Sequence, residues 1–389
     1  MDFTLSGPQR ALCEGIARTC AGFDDEYWLE VDNEVRFPNE FHRAMAECGA
    51  LGIAMPEEYG GSGLGVTEAA LVMHEVARAG GGMSAASAIH INIFGPHPIV
   101  VFGTEEQRRR FLPELIEGRA KTCFAVTEPD AGLETTAITT RAERQPDGGY
   151  IVHGRKIWTT TAQEADRVML LARTTPRAET GKATKGLSLF YTTLDRTRVE
   201  VRRIPKMGRA AVDSNELFID GLEVPAEDRI GEEGRGFEYI LHSLNPERIL
   251  IGVEAVGVGR NALERAADYA RERRVFGRPI GQNQSIQHPL AECWMELEAA
   301  FLMAMQAASL YDRDEPCGHY ANAAKYLGAE AGFKACTQAV MTHGGMGYAK
   351  EFHVERLMRE VMIPRLAPVS PQLILCHIAE KVLGLPKSY

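Results

Sequence analysis

The sequence has eight cysteines, Cys13, Cys20, Cys48, Cys123, Cys293, Cys317, Cys336 and Cys376, and no CxxC pair among them. They are scattered, mostly in apolar stretches, which fits buried thiols in a reducing compartment better than a disulfide framework. Positive charge is in short supply: 43 Lys and Arg against 53 Asp and Glu leave a net charge of −10. That balance argues against nucleic acid as a partner, while local basic residues remain able to hold an anionic ligand. The N-terminus, MDFTLSGPQR, lacks the basic-then-apolar pattern of a signal, and no apolar run approaches the length of a membrane span. A cytoplasmic protein without membrane attachment is expected. There is no HExxH and no GxSxG, so neither a metal nor a serine hydrolase is expected, and no metal ligands are assigned. Internal repeats and low-complexity tracts are also missing.

A chain of 389 residues exceeds one ordinary core, so two or three domains are expected. Its 45% hydrophobic and 25% charged residues are those of a globular protein. Residues 1–120 carry helical periodicity through Leu5–Cys20, Phe41–Leu51, Val66–Ala79 and Glu105–Ile116, broken by Gly60-Gly61 and Gly80-Gly81-Gly82. Over 121–228 the period falls to two. Tyr150–Val152, Val168–Ala172, Leu187–Tyr191 and Val199–Ile204 read as strands, with Asp220-Gly221 among the turns. From 229 to 389 the helical pattern returns in Ile249–Arg274, Ser285–Tyr311, Tyr320–Thr342 and Leu373–Leu383. The predicted class is α+β, in the order α, β, α.

Residues 124–161 say most about chemistry. FAVTEPDAGLETT mixes small residues, Thr and Pro with no clear period, which leaves backbone N–H groups open to a ligand. Thr127, Thr135 and Thr136 add hydroxyls. Gln145-Pro146-Asp147-Gly148-Gly149 predicts a β-hairpin, whose second strand ends in GRKIWTTT. Taken alone, Trp158 reads as a buried strand-end aromatic. With three Thr behind it, its indole suits one face of a flat ring system whose polar rim meets the hydroxyls.

TEPDAG and KIWTT together, with PEEYGGSGLG near residue 56 and RVFG…Q further on, resemble the acyl-CoA dehydrogenases over almost the whole chain. The resemblance implies an N-terminal helical domain, a middle β-barrel or sandwich and a C-terminal four-helix bundle, usually as a homotetramer. It implies FAD, lying between the β domain and the C-terminal helices. Phe124, Ala125, Val126, Thr127, Gly132 and Leu133 then line the isoalloxazine, with Thr127 donating to its pyrimidine edge, and Trp158, Thr159 and Thr160 lie near its other ring and N5. Arg273 and Phe276 of the Arg-x-x-Phe-Gly element, with Gln284, would hold the pyrophosphate and adenosine across a subunit interface. Met341, Gly344 and Gly345 would close the site with Ser370 and Gln372. Two departures stand out: Met341 replaces a common Gln, and Leu133-Glu134 replaces Ser-Asp, which also alters a substrate contact.

By the same resemblance, the chemistry removes a proton α to a thioester while a hydride leaves the β carbon for the flavin. Most relatives keep the base, a Glu, near the C-terminus, where this chain has Leu366-Ala367-Pro368-Val369-Ser370. A minority, such as isovaleryl-CoA dehydrogenase, carry it on an earlier helix before an Arg, and Glu247-Arg248 stands there. Asn245 and Arg248 would touch the CoA portion. Asn245-Pro246 reads as an N-cap and first-turn Pro, or equally as a kink in a longer helix; in the first case the helix dipole alone accounts for Glu247. Pro368 has no N–H to polarise the thioester carbonyl, unless Val369 donates instead. The expected function is dehydrogenation of an acyl-CoA, of bulky or branched chain, with electrons passed to an electron-transfer flavoprotein. A flavin monooxygenase of the same fold and a catalytically silent subunit of a hetero-oligomer are the alternatives.

Overall fold

The computed structural model describes residues 4–388. Among the described residues seven α-helices come first: α1 (Gly7–Cys20), α2 (Asp25–Glu34), α3 (Asn39–Glu47), α4 (Val66–Arg78), α5 (Gly82–Phe94), α6 (His97–Phe102) and α7 (Glu105–Ile116). Their starts are written in the sequence. Ser6 with Gln9 and Thr104 with Gln107 form capping boxes that satisfy the first amides of α1 and α7. The amides at the start of α4 are capped from afar, by the Asp312 carboxylate on Val66 and Thr67 at 2.7 and 2.9 Å.

Eight strands follow: β1 (Thr122–Ala125), β2 (Arg141–Arg144), β3 (Tyr150–Thr160), β4 (Arg167–Arg173), β5 (Leu187–Thr193), β6 (Val199–Arg203), β7 (Ser214–Val224) and β8 (Arg229–Ile230). They form one sheet, in the order β6-β7-β3-β2-β4-β5-β8, with β1 parallel to β4. The predicted hairpin joins β2 to β3, with Gln145 N donating to Gly149 O. Asp220-Gly221, expected as a turn, lies inside β7. It forms a bulge opposite the Val152–His153 step of β3, where Gly221 takes φ 75°.

The third part holds α8 (Gly236–Glu272), a short ribbon of β9 (Arg274–Val275) and β10 (Arg278–Pro279), then α9 (Gln284–Asp312), α10 (Gly318–His343), α11 (Val354–Glu360), α12 (Met362–Leu366) and α13 (Pro371–Lys381). The helix expected over Ile249–Arg274 begins well before, because Pro246 is accommodated within its 37 residues. One core joins both helical parts: Trp28, Phe41, Val72 and Ile89 pack with Ile249, Val253, Ala324 and Leu357. A second core ties α7 to the sheet through Phe111, Leu115, Leu171 and Tyr191.

Two further expectations are corrected. Gly82–Phe102, at 21 residues, is long and apolar enough to cross a membrane, but 72% of its most apolar window is buried in the fold. The thiols are not uniformly buried: Cys48 is exposed and Cys13 and Cys376 are half-buried, while the other five lie inside, and all eight are free.

Candidate active site

The loop after β1 is pinned by a buried ion pair. Glu128 accepts from the backbone amides of Thr139 (2.7 Å) and Thr140 (2.9 Å) and from the Lys156 ammonium (3.0 Å). Lys156 Nζ also donates to Val126 O at 2.9 Å, and Ile157 N to Thr127 O at 2.9 Å. Lys156 and Glu128 are 0% and 5% exposed, so neither charge has water to turn to. Burial alone would raise Glu128; Lys156 and the threonine donors hold it down at about 2. The loop running from Val126 past Gly132 is thereby fixed against β3.

At the end of β3 the ladder breaks between Lys156 and Thr159, and Trp158 takes φ 61°. The strain turns the indole outward, 57% exposed. The buried strand-end tryptophan that the residue alone implied is therefore absent. Leu133, 61% exposed, and Gly132, which has open space where a Cβ would stand, share the outer surface of the preceding loop. The Thr127 hydroxyl has no hydrogen-bond partner among the described residues. Thr159 is buried with its Oγ1 unpaired, and Thr160 Oγ1 accepts from Arg209 Nη2 at 3.4 Å. Exposed apolar surface beside the unpaired Thr127 hydroxyl and the open backbone at Gly132 fits a flat, polar-edged group.

Helix α5 links this cradle to α8. The Phe124 ring lies 5.5 Å from Phe94, and Phe94 lies 4.6 Å from His90. His90 in turn bonds Glu254 of α8 through Nδ1···Oε1 at 2.5 Å. Arg209, buried between β6 and β7, donates to Ser87 of α5 at 3.0 Å. Neither α5 nor His90 nor Arg209 is among the residues expected from the sequence. A helix buried all round shows little periodicity, and the signal available was only its uninterrupted apolar composition.

Glu247 stands well inside α8, which removes the first-turn explanation for it. Its carboxylate is half-buried and makes no hydrogen bond or ion pair among the described residues. Burial pushes it up to about 7, against the pull of His90 and Arg248. Arg248 Nη1 donates to Asn245 Oδ1 at 3.0 Å, and its buried Nε is unpaired. Asn245, Glu247 and Arg248 thus occupy one turn. Near the C-terminus, Val369 O accepts from the buried Lys325 at 2.6 Å, while the Val369 N–H makes no hydrogen bond among the described residues. Ser370 caps α13, accepting from Leu373 N.

The remaining predicted residues lie apart. Arg273, Phe276, Gln284, Met341, Gly344, Gly345 and Gln372 are exposed. Among the described residues, no hydrogen bond, ion pair or ring contact joins them to Phe124–Leu133 or Trp158–Thr160. Phe276 crowns the β9–β10 ribbon at φ 52°. Gly344 ends α10 at φ 59°, the helix cap that such a glycine turn most often forms. No group of three or more His, Cys, Asp or Glu is placed to hold a metal among the described residues.

Three consecutive family descriptions match the sequence: Acyl-CoA dehydrogenase, N-terminal domain, over residues 7–119; middle domain, over 123–222; and C-terminal domain, over 234–379. The chain belongs to the acyl-CoA dehydrogenase family. It is therefore an oxidoreductase acting on a CH–CH group, in a family that depends on FAD. It is 37% identical over 394 residues to acyl-CoA dehydrogenase FadE12 of Mycobacterium tuberculosis, covering 100% of this chain and 99% of that one. The caffeyl-CoA reductase-Etf complex subunit CarC of Acetobacterium woodii is 34% identical over 335 residues, 86% of this chain and 87% of its own. A solved glutaryl-coenzyme A dehydrogenase in complex with glutaryl-CoA superposes with a TM-score of 0.93 at 32% identity, covering 100% of this chain and 98% of the other.

Proposed function

We propose that this acyl-CoA dehydrogenase removes the α and β hydrogens of an acyl-CoA thioester, with Glu247 as the base. The observation that carries the reading is the Glu247 carboxylate itself: inside a helix, without a hydrogen-bond partner, and poised at about 7. A carboxylate satisfied by neighbours is a weak base; one raised by burial is matched to proton transfer near neutral pH. Below about pH 7 Glu247 is protonated and turnover should fall; above it the base is ready. FAD, when bound, supplies the acceptor for the β hydride. Phe124–Thr127, Gly132, Leu133 and Trp158–Thr160 would hold its ring, and Asn245 and Arg248 would orient the CoA. Val369, with a free N–H, takes the place of Pro368 as a donor to the thioester oxygen. The retained Glu247-Arg248 pair disfavours both a monooxygenase and a silent subunit.

We further infer a bulky or branched acyl chain, supported by the base on α8 and the small residues Ala367, Pro368 and Val369. An electron-transfer flavoprotein as acceptor is supported by the Etf complex named for the Acetobacterium relative. The exposed half-site of Arg273, Phe276 and Gln284 supports a homotetramer in which FAD is shared between subunits.

Glu247→Gln is expected to keep bound flavin and lose turnover by roughly a hundred- to ten-thousand-fold. Full turnover in this variant refutes the base assignment. A panel of acyl-CoAs tests the substrate class separately: the highest kcat/KM on straight butyryl- or octanoyl-CoA counts against a branched chain.

A further inference from the structure

Beneath Glu247 lies a pair of ionisable residues that the reaction as derived does not use. His90, on α5, and Glu254, on α8, are 6% and 0% exposed and share the 2.5 Å bond described above. Glu254 stands seven residues after Glu247, so the two project from the same side of the helix. Burying the Glu254 carboxylate is costly without a counter-charge, and His90 is its only ion-pair partner among the described residues. Its second oxygen, Oε2, is buried and unpaired. His90 Nε2 makes no hydrogen bond among the described residues, and the ring rests on Phe94, which leads directly to Phe124 in the cradle.

We propose that His90 and Glu254 are positioning residues for the base: Glu254 keeps a proton on His90, and the resulting imidazolium keeps the Glu247 carboxylate ready to accept the substrate proton. This inference rests on the assignment of Glu247 as base. The charged groups acting on His90 are Glu254 and Glu247 from α8 and Arg209 from the segment between β6 and β7. Those acting on Glu247 are His90, its neighbour Arg248 and Glu254. Burial works against a charged His90, but the two carboxylates outweigh it and raise the imidazole above its ordinary value. Without the pair, the effect of burial on Glu247 would be opposed only by Arg248, and the carboxylate would stay protonated further into the neutral range. A neutral pair, with the proton on Glu254 instead, would give Glu247 no such help.

The test is the pH dependence of kcat/KM in holoenzyme carrying His90→Gln, Glu254→Gln, both, or Glu247→Gln. His90→Gln removes the cation that acts on Glu247, so the acid limb should move to higher pH by at least about half a unit. Glu254→Gln removes both charges together, because His90 then sheds its proton, and should move the limb less. The double variant should fall back toward wild type, a sign of coupling that simple loss of packing does not produce. A limb unmoved in His90→Gln overturns the proposal. Histidine ¹⁵N NMR reads the pair without turnover. The signal lost in His90→Gln should remain that of an imidazolium above pH 7 in wild type and become neutral there in Glu254→Gln. A neutral wild-type signal at pH 7 also overturns it. If Glu247→Gln keeps full turnover, the base assignment itself falls. If that variant is inactive and the His90→Gln limb stays put, only the present inference falls.

Discussion

Lys156 and Glu128 show how much of the cradle depends on single side chains. Each is buried, and each is the other's only ion-pair partner among the described residues. Burial lowers Lys156 to about 8 even so, the mark of a cation that has given up its water. Removing one partner leaves the other charge stranded. Lys156→Met is expected to cost about 3–5 kcal/mol in denaturant unfolding, and Lys156→Met with Glu128→Gln should recover most of it. Glu128 also sets an acid sensitivity. Its folded value, about 2, lies below its ordinary 4.5, so its contribution is complete above pH 4.5 and disappears as pH falls toward 2. Thermal scans across that window should show Glu128→Gln losing less stability on acidification than wild type.

At the scale of elements, α5 and α8 organise the site, and α10 holds α8 in place. The α8–α10 contact is backbone on backbone. A Cβ on Gly328 would meet Gly252 O at 2.4 Å, and one on Gly332 would meet Ala255 O at 2.4 Å. Neither carbonyl belongs to a side chain that can rotate away. Gly328→Val should push the helices apart, with a loss of about 1–3 kcal/mol and a lower midpoint in thermal unfolding. Because Glu247 sits on α8, turnover in this variant should fall at temperatures where the fold is still intact. Pro246 interrupts the hydrogen-bond ladder one residue before the base, and α8 tolerates it because both flanks are packed: Tyr239 and Ile240 before it, Ile249 and Leu250 after.

For the whole molecule, no hydrogen bond, ion pair or ring contact among the described residues joins the two groups of proposed cofactor residues. The cradle faces out from the sheet and α5, while Arg273, Phe276, Gln284 and Met341 stand on the outside of the helical part. Phe276 is fully exposed at the tip of a ribbon, an unusual place for a large apolar ring unless something covers it. If a second subunit covers it, Phe276→Asp should lower the assembly state in light scattering and weaken flavin retention on gel filtration. The same variant should leave the unfolding of the isolated subunit nearly unchanged, since the ring packs on nothing of its own chain.

Local signals in the chain suffice for the α–β–α order, most of the regular elements and the hairpin at Gln145–Gly149. These are local matters: periodicity, caps and turn residues act over a few positions. The sequence also carried the family, through short motifs whose spacing is specific. Contacts between distant elements place Pro246 within a helix, turn Trp158 outward on a bulge and keep Asp220-Gly221 in a strand, because neighbours on other elements supply the packing that overrides the local preference. His90, Glu254 and Arg209 became visible as a group for the same reason. They come from α5, α8 and the β6–β7 segment, and charges acting through a buried interior couple across space with no trace in sequence order.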